Sequence, residues 1–299
     1  MSFQPSETRP LRVLTVVRPG RGQTPSVANL EGFSRLTDVD ACLYCPVYDP
    51  HLSTWRSGAS CAEQDLKDFL VEHENNNLMS MKRTSGGLCK SCEIQAQWHH
   101  PAATGIVQAA HDFEADVVFL ASSRFTHNLD YHDWEVLTRV SAPVLVCNRL
   151  EFRPYRRILV AVDPSHSHQK SKEIDALLLN EASTLARLFS AELHVVHAYP
   201  SSRSYVTPET LVPSEVLEVW REQHEAAVEE LIEDFSVQDI HLVADHPREA
   251  ILDTARRIEA DLLVTGVTSR SRVADLIIGH TAAHVINHST CDVLGIRAD

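Results

Sequence analysis

Two sets of landmarks in the same order divide the chain into a pair of similar halves. The pair His100-Pro101 precedes the pair His246-Pro247 by 146 positions. Each half then closes on a similar apolar segment, SAPVLVCNR from Ser141 and STCDVLGIR from Ser289. A period of this length is far beyond the roughly 20–50 residues of solenoid repeats. The repeat therefore predicts two duplicated domains.

The position of the repeat sets the domain boundaries. It predicts a first domain over residues 1–150 and a second over residues 154–299, with the seam near Glu151 to Tyr155. The length of 299 residues agrees with two domains, since a typical domain has ~100–200 residues. Each half is long enough to bury a core of its own.

Short β-branched runs alternate with longer helical patterns in the second half. Strands are predicted at ILVAVD, ELHVVHAY, DIHLVA, LLVTG and DVLGI, and helices over Glu173 to Phe189, over Val216 to Phe235, after Pro247 and after Thr281. The first half follows the same plan less regularly, with strands near Val13, Cys42, Ile94, Val117 and Val144 and helices near Val27, Leu66, Ile106 and Val136. Strands that are apolar on both faces and separated by helices are typical of parallel sheets covered on two sides. The predicted fold class is α/β, with two tandem open parallel sheets and helices on both faces.

Glycine is scarce, and its placement in the second half indicates a ligand loop. That half has three glycines, Gly266, Gly279 and Gly295. Gly266 ends a predicted strand, and Gly279 stands just before the predicted helix at Thr281. A loop that leads from a strand to a helix N-terminus suits a phosphate, because exposed N–H groups donate there and the helix dipole favours negative charge.

The stretch from Gly266 to Ile296, GVTSRSRVADLIIGHTAAHVINHSTCDVLGI, resembles the closing segment of the universal stress protein family. Nucleotide-binding members carry G-x2-G-x9-G-[S/T] in this place. The spacing from the first to the last glycine matches, but Ser269 replaces the middle glycine. His280 stands where a small hydroxyl residue is usual, and Thr281 follows one place later.

Further stretches extend the resemblance over nearly the whole chain, to the branch of the family with tandem domains. They are PVYDP, QWHHP, the pair Asp133-Trp134, APVLV, HAYP and GHTAAHVI. The resemblance implies the adenine-nucleotide α-hydrolase-like fold and a role in the stress response. It also implies that an aspartate at the end of the first strand contacts the nucleoside, and Asp163 occupies that place in the second half.

The first half departs from the ligand pattern. It has Arg18 where the second half has Asp163, and Ala121 where the second half has Gly266. A β-carbon at the second position would exclude a positive φ and push a phosphate outward. The first domain is therefore expected to have a degenerate loop that binds no nucleotide, and the second a partly retained one.

The leading interpretation is a non-enzymatic stress-response protein that senses or sequesters a small ligand. The candidate binding residues are Asp163, Gly266, Ser269, Gly279, His280 and Thr281, with ATP as a ligand that is left open and no cofactor required. A different interpretation leaves these glycines as turn formers only. A further alternative is an ATP-dependent switch or weak ATPase that uses the same loop, although no catalytic residue stands out.

Cysteine spacing leaves open a thiol or zinc module in the first half. Cys42 and Cys45 fall in a predicted strand, where residues three apart point to opposite faces, so they are expected to pack as small hydrophobic residues. Cys89 and Cys92 lie in a predicted turn, where the adjacent Lys90 would lower a thiol pKa. That C-x-x-C pair is the candidate for zinc or redox chemistry.

Charge and composition narrow the classes of partner. The chain has 41 acidic and 27 basic side chains, a net charge of −14 that disfavours binding to a nucleic acid backbone. No apolar run approaches the ~20 residues of a membrane helix, and the opening MSFQPSETRPLR does not resemble a signal peptide. The expectation is a cytoplasmic protein with reduced cysteines, a small-molecule partner and packing between its two domains, and a homodimer is left open.

Overall fold

The chain folds into two compact units, unit 1 ending at Arg153 and unit 2 beginning at Pro154. The computed structural model describes residues 9–20, 24–49, 52, 60–84, 89, 91–122, 129, 131–165, 172–199, 214–267 and 279–297. Strands and helices alternate through both units. The predicted α/β fold class is confirmed.

Unit 1 contains five strands and four helices among its described residues. In chain order they are β1 (Leu11–Val16), α1 (Pro25–Ser34), β2 (Val39–Val47), α2 (Ser60–Thr84), β3 (Ser91–Trp98), α3 (Ala102–Asp112), β4 (Val117–Ala121), α4 (Tyr131–Arg139) and β5 (Val144–Cys147). Strands β1, β2, β4 and β5 are almost wholly buried, as their apolar sequences predict.

Unit 2 repeats the same order of elements. They are β6 (Arg157–Ala161), α5 (Lys172–Phe189), β7 (Glu192–Tyr199), α6 (Ser214–Ile232), β8 (Asp239–Ala244), α7 (Pro247–Arg257), β9 (Leu262–Val267), α8 (His280–His288) and β10 (Asp292–Arg297). Helix α7 begins at Pro247 as predicted, because proline at the first helical position lacks only an N–H that would have no partner in the helix. Helix α6 ends at Ile232, three residues before the predicted Phe235.

Each unit is built on a parallel sheet whose strand order reverses in the middle. The order is β3-β2-β1-β4-β5 in unit 1 and β8-β7-β6-β9-β10 in unit 2. The connections run first to one side of the central strand and then to the other. Because such crossovers are right-handed, this change of direction puts two helices on each face of the sheet. In open sheets of this kind, ligands bind outside the carboxyl ends of the strands where the order reverses. That point lies between β1 and β4 in unit 1 and between β6 and β9 in unit 2.

A Glu-Ala-Asp triplet recurs as Glu114-Ala115-Asp116 and Glu259-Ala260-Asp261 and has the same structural role in both units. Glu114 and Glu259 have φ of 48° and 49°, a left-handed conformation that ends the preceding helix. The aspartates two residues later accept backbone N–H groups at the start of the central strands. Asp116 accepts the N–H of Arg12 at 2.9 Å, and Asp261 accepts the N–H of Arg157 at 3.2 Å. This landmark therefore shapes the amino edge of the sheet.

The described residues include no helix that is both long and apolar enough to cross a membrane.

Candidate functional site

The sequence-predicted ligand residues of unit 2 lie around the point where its strand order reverses. Asp163 follows β6 by two residues, and Gly266 lies in β9, the neighbour of β6 in the sheet. Gly279 stands directly before α8, and His280 and Thr281 are its first two residues. Ser269, the remaining candidate, lies outside the described residues. The carboxyl ends of β6 and β9 and the N-terminus of α8 thus frame the candidate site.

The positive φ expected at Gly266 is wrong, and Gly279 has none either. Gly266 lies inside β9 without a positive φ, and Gly279 has φ of −56°. A Cβ at Gly266 would meet Ile174 Cγ1 at 3.4 Å and Leu178 Cδ1 at 3.8 Å, which is ordinary van der Waals contact. The backbone at residue 266 therefore accepts an L side chain, and a side chain at this position would face helix α5.

Asp163 is held at the end of β6 by contacts on its backbone and its side chain. Its N–H donates to the carboxylate of Asp175, a fully buried residue in the first turn of α5, with an N to Oδ2 distance of 3.2 Å. The hydroxyl of Ser165 donates to Asp163 Oδ1 at 2.7 Å. Asp163 is half-buried, so these contacts orient a carboxylate that solvent and a ligand can reach.

A pair of histidines next to Asp163 was missed by the sequence analysis. His197, buried in β7, places Nδ1 3.1 Å from the carbonyl oxygen of Val162. Because a carbonyl only accepts, Nδ1 carries the proton and Nε2 is left as an acceptor. His224 of α6 donates to that Nε2 from its own Nδ1 at 2.8 Å. The ring of Tyr199 stacks against His224 with centroids 5.6 Å apart. Aromatic rings with polar edges are therefore grouped beside the Asp163 carboxylate.

Burial lowers the pKa of His197 below its usual 6.5, and the hydrogen bond to Val162 only partly opposes this effect. Burial also lowers the pKa of His224, with the Asp163 carboxylate acting in the opposite direction. Both rings are thus held neutral, which is the state that their hydrogen bonds require.

Unit 2 is expected to lose stability as the pH falls below the usual histidine pKa of 6.5. The unfolded chain binds protons at these two rings over a range in which the folded unit does not, so falling pH favours unfolding. We expect His224→Gln, whose amide can still donate to His197, to reduce the slope of unfolding free energy against pH. Urea denaturation at about pH 7 and about pH 5 measures that slope. The exposed His246→Gln is the control, and an equal slope in the two variants would contradict the assignment.

The N-terminus of α8 differs from that of its counterpart in unit 1. Helix α8 has no acidic residue in its first turn and no side-chain cap at Gly279. Helix α4 of unit 1 instead carries Asp133 in its first turn. The guanidinium of Arg18, two residues after β1, donates to Asp133 at 2.5 Å. In unit 1, the Asp133 carboxylate thus lies at the start of α4. It pairs with Arg18, which stands two residues after the first strand, the place that Asp163 occupies in unit 2.

The two C-x-x-C pairs differ in burial. Burial raises the pKa of Cys42 and of Cys45 to about 12, so both are uncharged thiols packed in β2. Cys89 and Cys92 are half-buried. Hydrogen bonding between their side chains lowers the pKa of Cys92 and raises that of Cys89, and Lys82 further favours the Cys92 thiolate. The thiol hypothesis therefore stays a prediction centred on Cys92.

Comparisons with known proteins agree on one family. A model described as the universal stress protein family matches residues 154–297. Universal stress protein E of Photorhabdus laumondii is 27% identical over 221 residues, which are 69% of this chain and 69% of that protein. The universal stress protein E homolog of Haemophilus influenzae is 31% identical over 171 residues, 55% of each chain.

Solved structures share the fold over almost the full length. A functionally unknown protein from Pseudomonas aeruginosa PAO1 superposes with a TM-score of 0.67 at 20% identity, covering 96% of this chain and 92% of that one. A universal stress protein from Archaeoglobus fulgidus DSM 4304 superposes with a TM-score of 0.63 at 17% identity, covering 95% of this chain and 98% of that one. At these identities the likeness concerns the fold.

Proposed function

Because this chain belongs to the universal stress protein family and resembles universal stress protein E, we propose that it is a stress-response protein that binds an adenine nucleotide in unit 2 and acts without catalysis. The site consists of Asp163 and the strand ends of β6 and β9, together with the start of α8 at Gly279, His280 and Thr281. Ser269 belongs to the same proposal through its place in the glycine pattern.

The single observation that supports this proposal is the opposite charge of the two strand ends. Unit 2 has the Asp163 carboxylate at the end of β6 and a helix, α8, whose first turn carries no acid, a combination that suits ribose hydroxyls and a phosphate. Unit 1 has the Arg18 guanidinium paired to Asp133 at the equivalent helix. Because that ion pair occupies the first turn of α4, an anion would have to compete with a buried carboxylate.

The rings beside Asp163 suit the base of the nucleotide. His224 and Tyr199 present aromatic faces, and bases stack on such faces with ~1–3 kcal/mol per base. With its Nδ1 proton donated to His197, neutral His224 keeps Nε2 as an acceptor, which suits the exocyclic amine of adenine. We therefore assign the base to the His224 side of Asp163 and the phosphates to the α8 side.

Titration calorimetry of the full chain with ATP and Mg²⁺ tests the proposal. We expect one nucleotide per chain, and we expect Asp163→Ala to weaken binding about 10-fold or more, since a hydrogen bond to a charged group contributes about 1.5–3 kcal/mol. The matched control is Asp245→Ala, an exposed strand-end aspartate after β8 whose carboxylate accepts the N–H of His246 at 2.7 Å.

Three outcomes would overturn the proposal. They are no heat at millimolar nucleotide, two equivalent sites per chain, and binding that is the same in Asp163→Ala and Asp245→Ala. Phosphate release measured on the same samples separates a binding protein from the weak ATPase alternative, since catalysis has to show steady turnover that Asp163→Ala removes.

A further inference from the structure

A second cluster of polar side chains lies at the opposite end of the unit 2 sheet. His194 is the third residue of β7, and Asp239 and His241 are the first and third residues of β8. The two strands are parallel neighbours in which His194 pairs with Asp239 and Val196 pairs with His241. Residues two apart in a strand face the same side, so Asp239 and His241 share one face. The cluster lies at the amino ends of these strands, whereas Asp163 and Gly266 lie at carboxyl ends.

The three side chains are close enough to share one ion. One nitrogen from each imidazole and one carboxylate oxygen all lie within 4.8 Å of one another. The two rings are stacked at 18°, with His241 Nε2 3.3 Å from His194 Nδ1. Two nitrogens that each lie ~2.0–2.1 Å from a tetrahedral zinc ion are separated by about this distance.

A buried polar atom in the cluster lacks a partner. His194 is only 7% exposed, and its Nε2 has no hydrogen bond within the part of the chain that the structure describes. The Glu192 carboxylate lies beside it, with Oε2 at 3.6 Å, just beyond hydrogen-bond distance. Since an unpaired buried N–H is costly, a small shift of the exposed Glu192 side chain that lets it accept from His194 Nε2 is favoured.

The contacts define the tautomers of the two rings. Arg257 Nη2 lies 3.3 Å from His241 Nδ1, and because guanidinium only donates, this Nδ1 is an acceptor. The proton of His241 is therefore on Nε2, where it is donated to His194 Nδ1. His194 then carries its proton on Nε2, directed toward Glu192. One proton lies between the two rings.

We propose that unit 2 binds a divalent transition metal of the zinc type between His194, His241 and Asp239. The ion takes the place of the proton between the rings and is bound by His241 Nε2, His194 Nδ1 and a carboxylate oxygen of Asp239. The proton of His241 moves from Nε2 to Nδ1, so both imidazoles stay neutral and no proton is released from them.

The surroundings of the cluster suit a cation of this class. Two imidazoles and one carboxylate are ligands preferred by zinc, nickel and copper, whereas magnesium and calcium prefer oxygen ligands throughout. The His194 Nε2 proton points toward Glu192, and a carboxylate on the outer nitrogen is the usual support for a metal-bound histidine. Asp239 Oδ2 lies 3.8 Å from His241 Nδ1, and because this side chain is 63% exposed, it can turn toward His241 Nε2.

Arg257, whose guanidinium lies 3.3 Å from His241 Nδ1, opposes the ion. Once His241 Nδ1 carries a proton, it can no longer accept from the guanidinium, and Arg257 has to turn away. Its side chain is exposed at the end of α7, so this movement needs no change in the core. Arg257→Ala is therefore expected to strengthen metal binding, a result that a merely structural histidine pair would not produce.

The test is a titration of the full chain, purified without chelator and then stripped of metal, with Zn²⁺ and with Co²⁺. We expect one equivalent of metal and visible cobalt bands without the intense near-ultraviolet sulfur-to-cobalt absorption that cysteine ligands cause. Asp239→Asn and His241→Gln should lose this equivalent, and Glu192→Gln should weaken it about 10-fold as an outer-sphere support.

The controls separate this site from other histidines and cysteines. His246→Gln, an exposed histidine of the same unit, and the double variant Cys89→Ser, Cys92→Ser should both keep the equivalent. Circular dichroism of metal-free protein shows whether His241→Gln is folded, and the exposed Asp239→Asn tests the site without a core change. No bound metal, unchanged binding in Asp239→Asn, or loss of the metal in the cysteine variant would each overturn the proposal.

Discussion

Gly105→Val is expected to destabilise unit 1 by about 3 kcal/mol, at the upper end of the range for an overpacked core. A Cβ at residue 105 would lie 2.5 Å from Tyr44 Oη and 2.6 Å from His99 Cγ. Tyr44 is fully buried in β2 and cannot move aside. The gain of about 1 kcal/mol or less in helix propensity when glycine is replaced does not offset this overlap.

Urea denaturation of the full chain, followed by tryptophan fluorescence, measures the effect. Trp98 and Trp134 lie in unit 1 and report its transition. Thr104→Val is the matched control, because it places the same side chain at an exposed neighbouring position of α3, where a change within about 0.5 kcal/mol is expected. Equal stability of the two variants would show that Tyr44 does not pack against α3 as described.

Arg18→Leu is expected to destabilise unit 1 by about 2–3 kcal/mol, since it removes the charged hydrogen bond from Arg18 to the nearly buried Asp133 carboxylate. The Asp133 side chain is 6% exposed and that of Arg18 is 33% exposed. Removing one partner of a fully buried pair costs about 3–5 kcal/mol, and the partial exposure of Arg18 lowers the expected loss. The charge-reversed double variant Arg18→Asp, Asp133→Arg should recover part of it.

A double-mutant cycle in the same denaturation assay gives the coupling between the two charges. The control is Arg139→Leu at the other end of α4, where the guanidinium lies 3.7 Å from Glu135 and is more exposed. Because Arg139 is exposed and its contact to Glu135 is longer than that of Arg18 to Asp133, this pair is expected to contribute about 1 kcal/mol or less. If Arg18→Leu costs no more than Arg139→Leu, the ion pair does not hold the helix start of unit 1.

The repeat can be recognised in the sequence because its Glu-Ala-Asp residues have the same structural role in both units. The Asp116 and Asp261 carboxylates accept N–H groups at the start of the central strands, and Glu114 and Glu259 end helices. Apolar runs likewise gave the strands of both sheets, since a parallel strand buried on two faces admits few polar side chains. The ends of the elements follow less directly from the pattern, since α6 ends at Ile232 and its apolar pattern continues to Phe235.

The glycine pattern gave a candidate ligand loop, but the positive φ that it implied at Gly266 was not correct. Its glycines lie at the reversal of strand order, as Gly266 and Gly279 show, but neither needs a positive φ. The pattern also gave no sign that Arg18 would pair with Asp133, because the two residues are 115 positions apart. Whether the start of α4 is free to bind an anion depends on the contact between Arg18 and Asp133, which forms only in the folded chain.

The sequence by itself determined the duplication and the order of strands and helices, and it gave candidate site residues that the fold places at the carboxyl edge of the unit 2 sheet. The order of the elements depends mainly on apolar periodicity within a few residues along the chain. Tertiary structure alone decided which charges and rings meet, including the pair His197 and His224, 27 positions apart, and the pair His194 and His241, 47 positions apart. Strand register and helix packing bring such residues within hydrogen-bond distance, and spacing along one sequence carries no record of either.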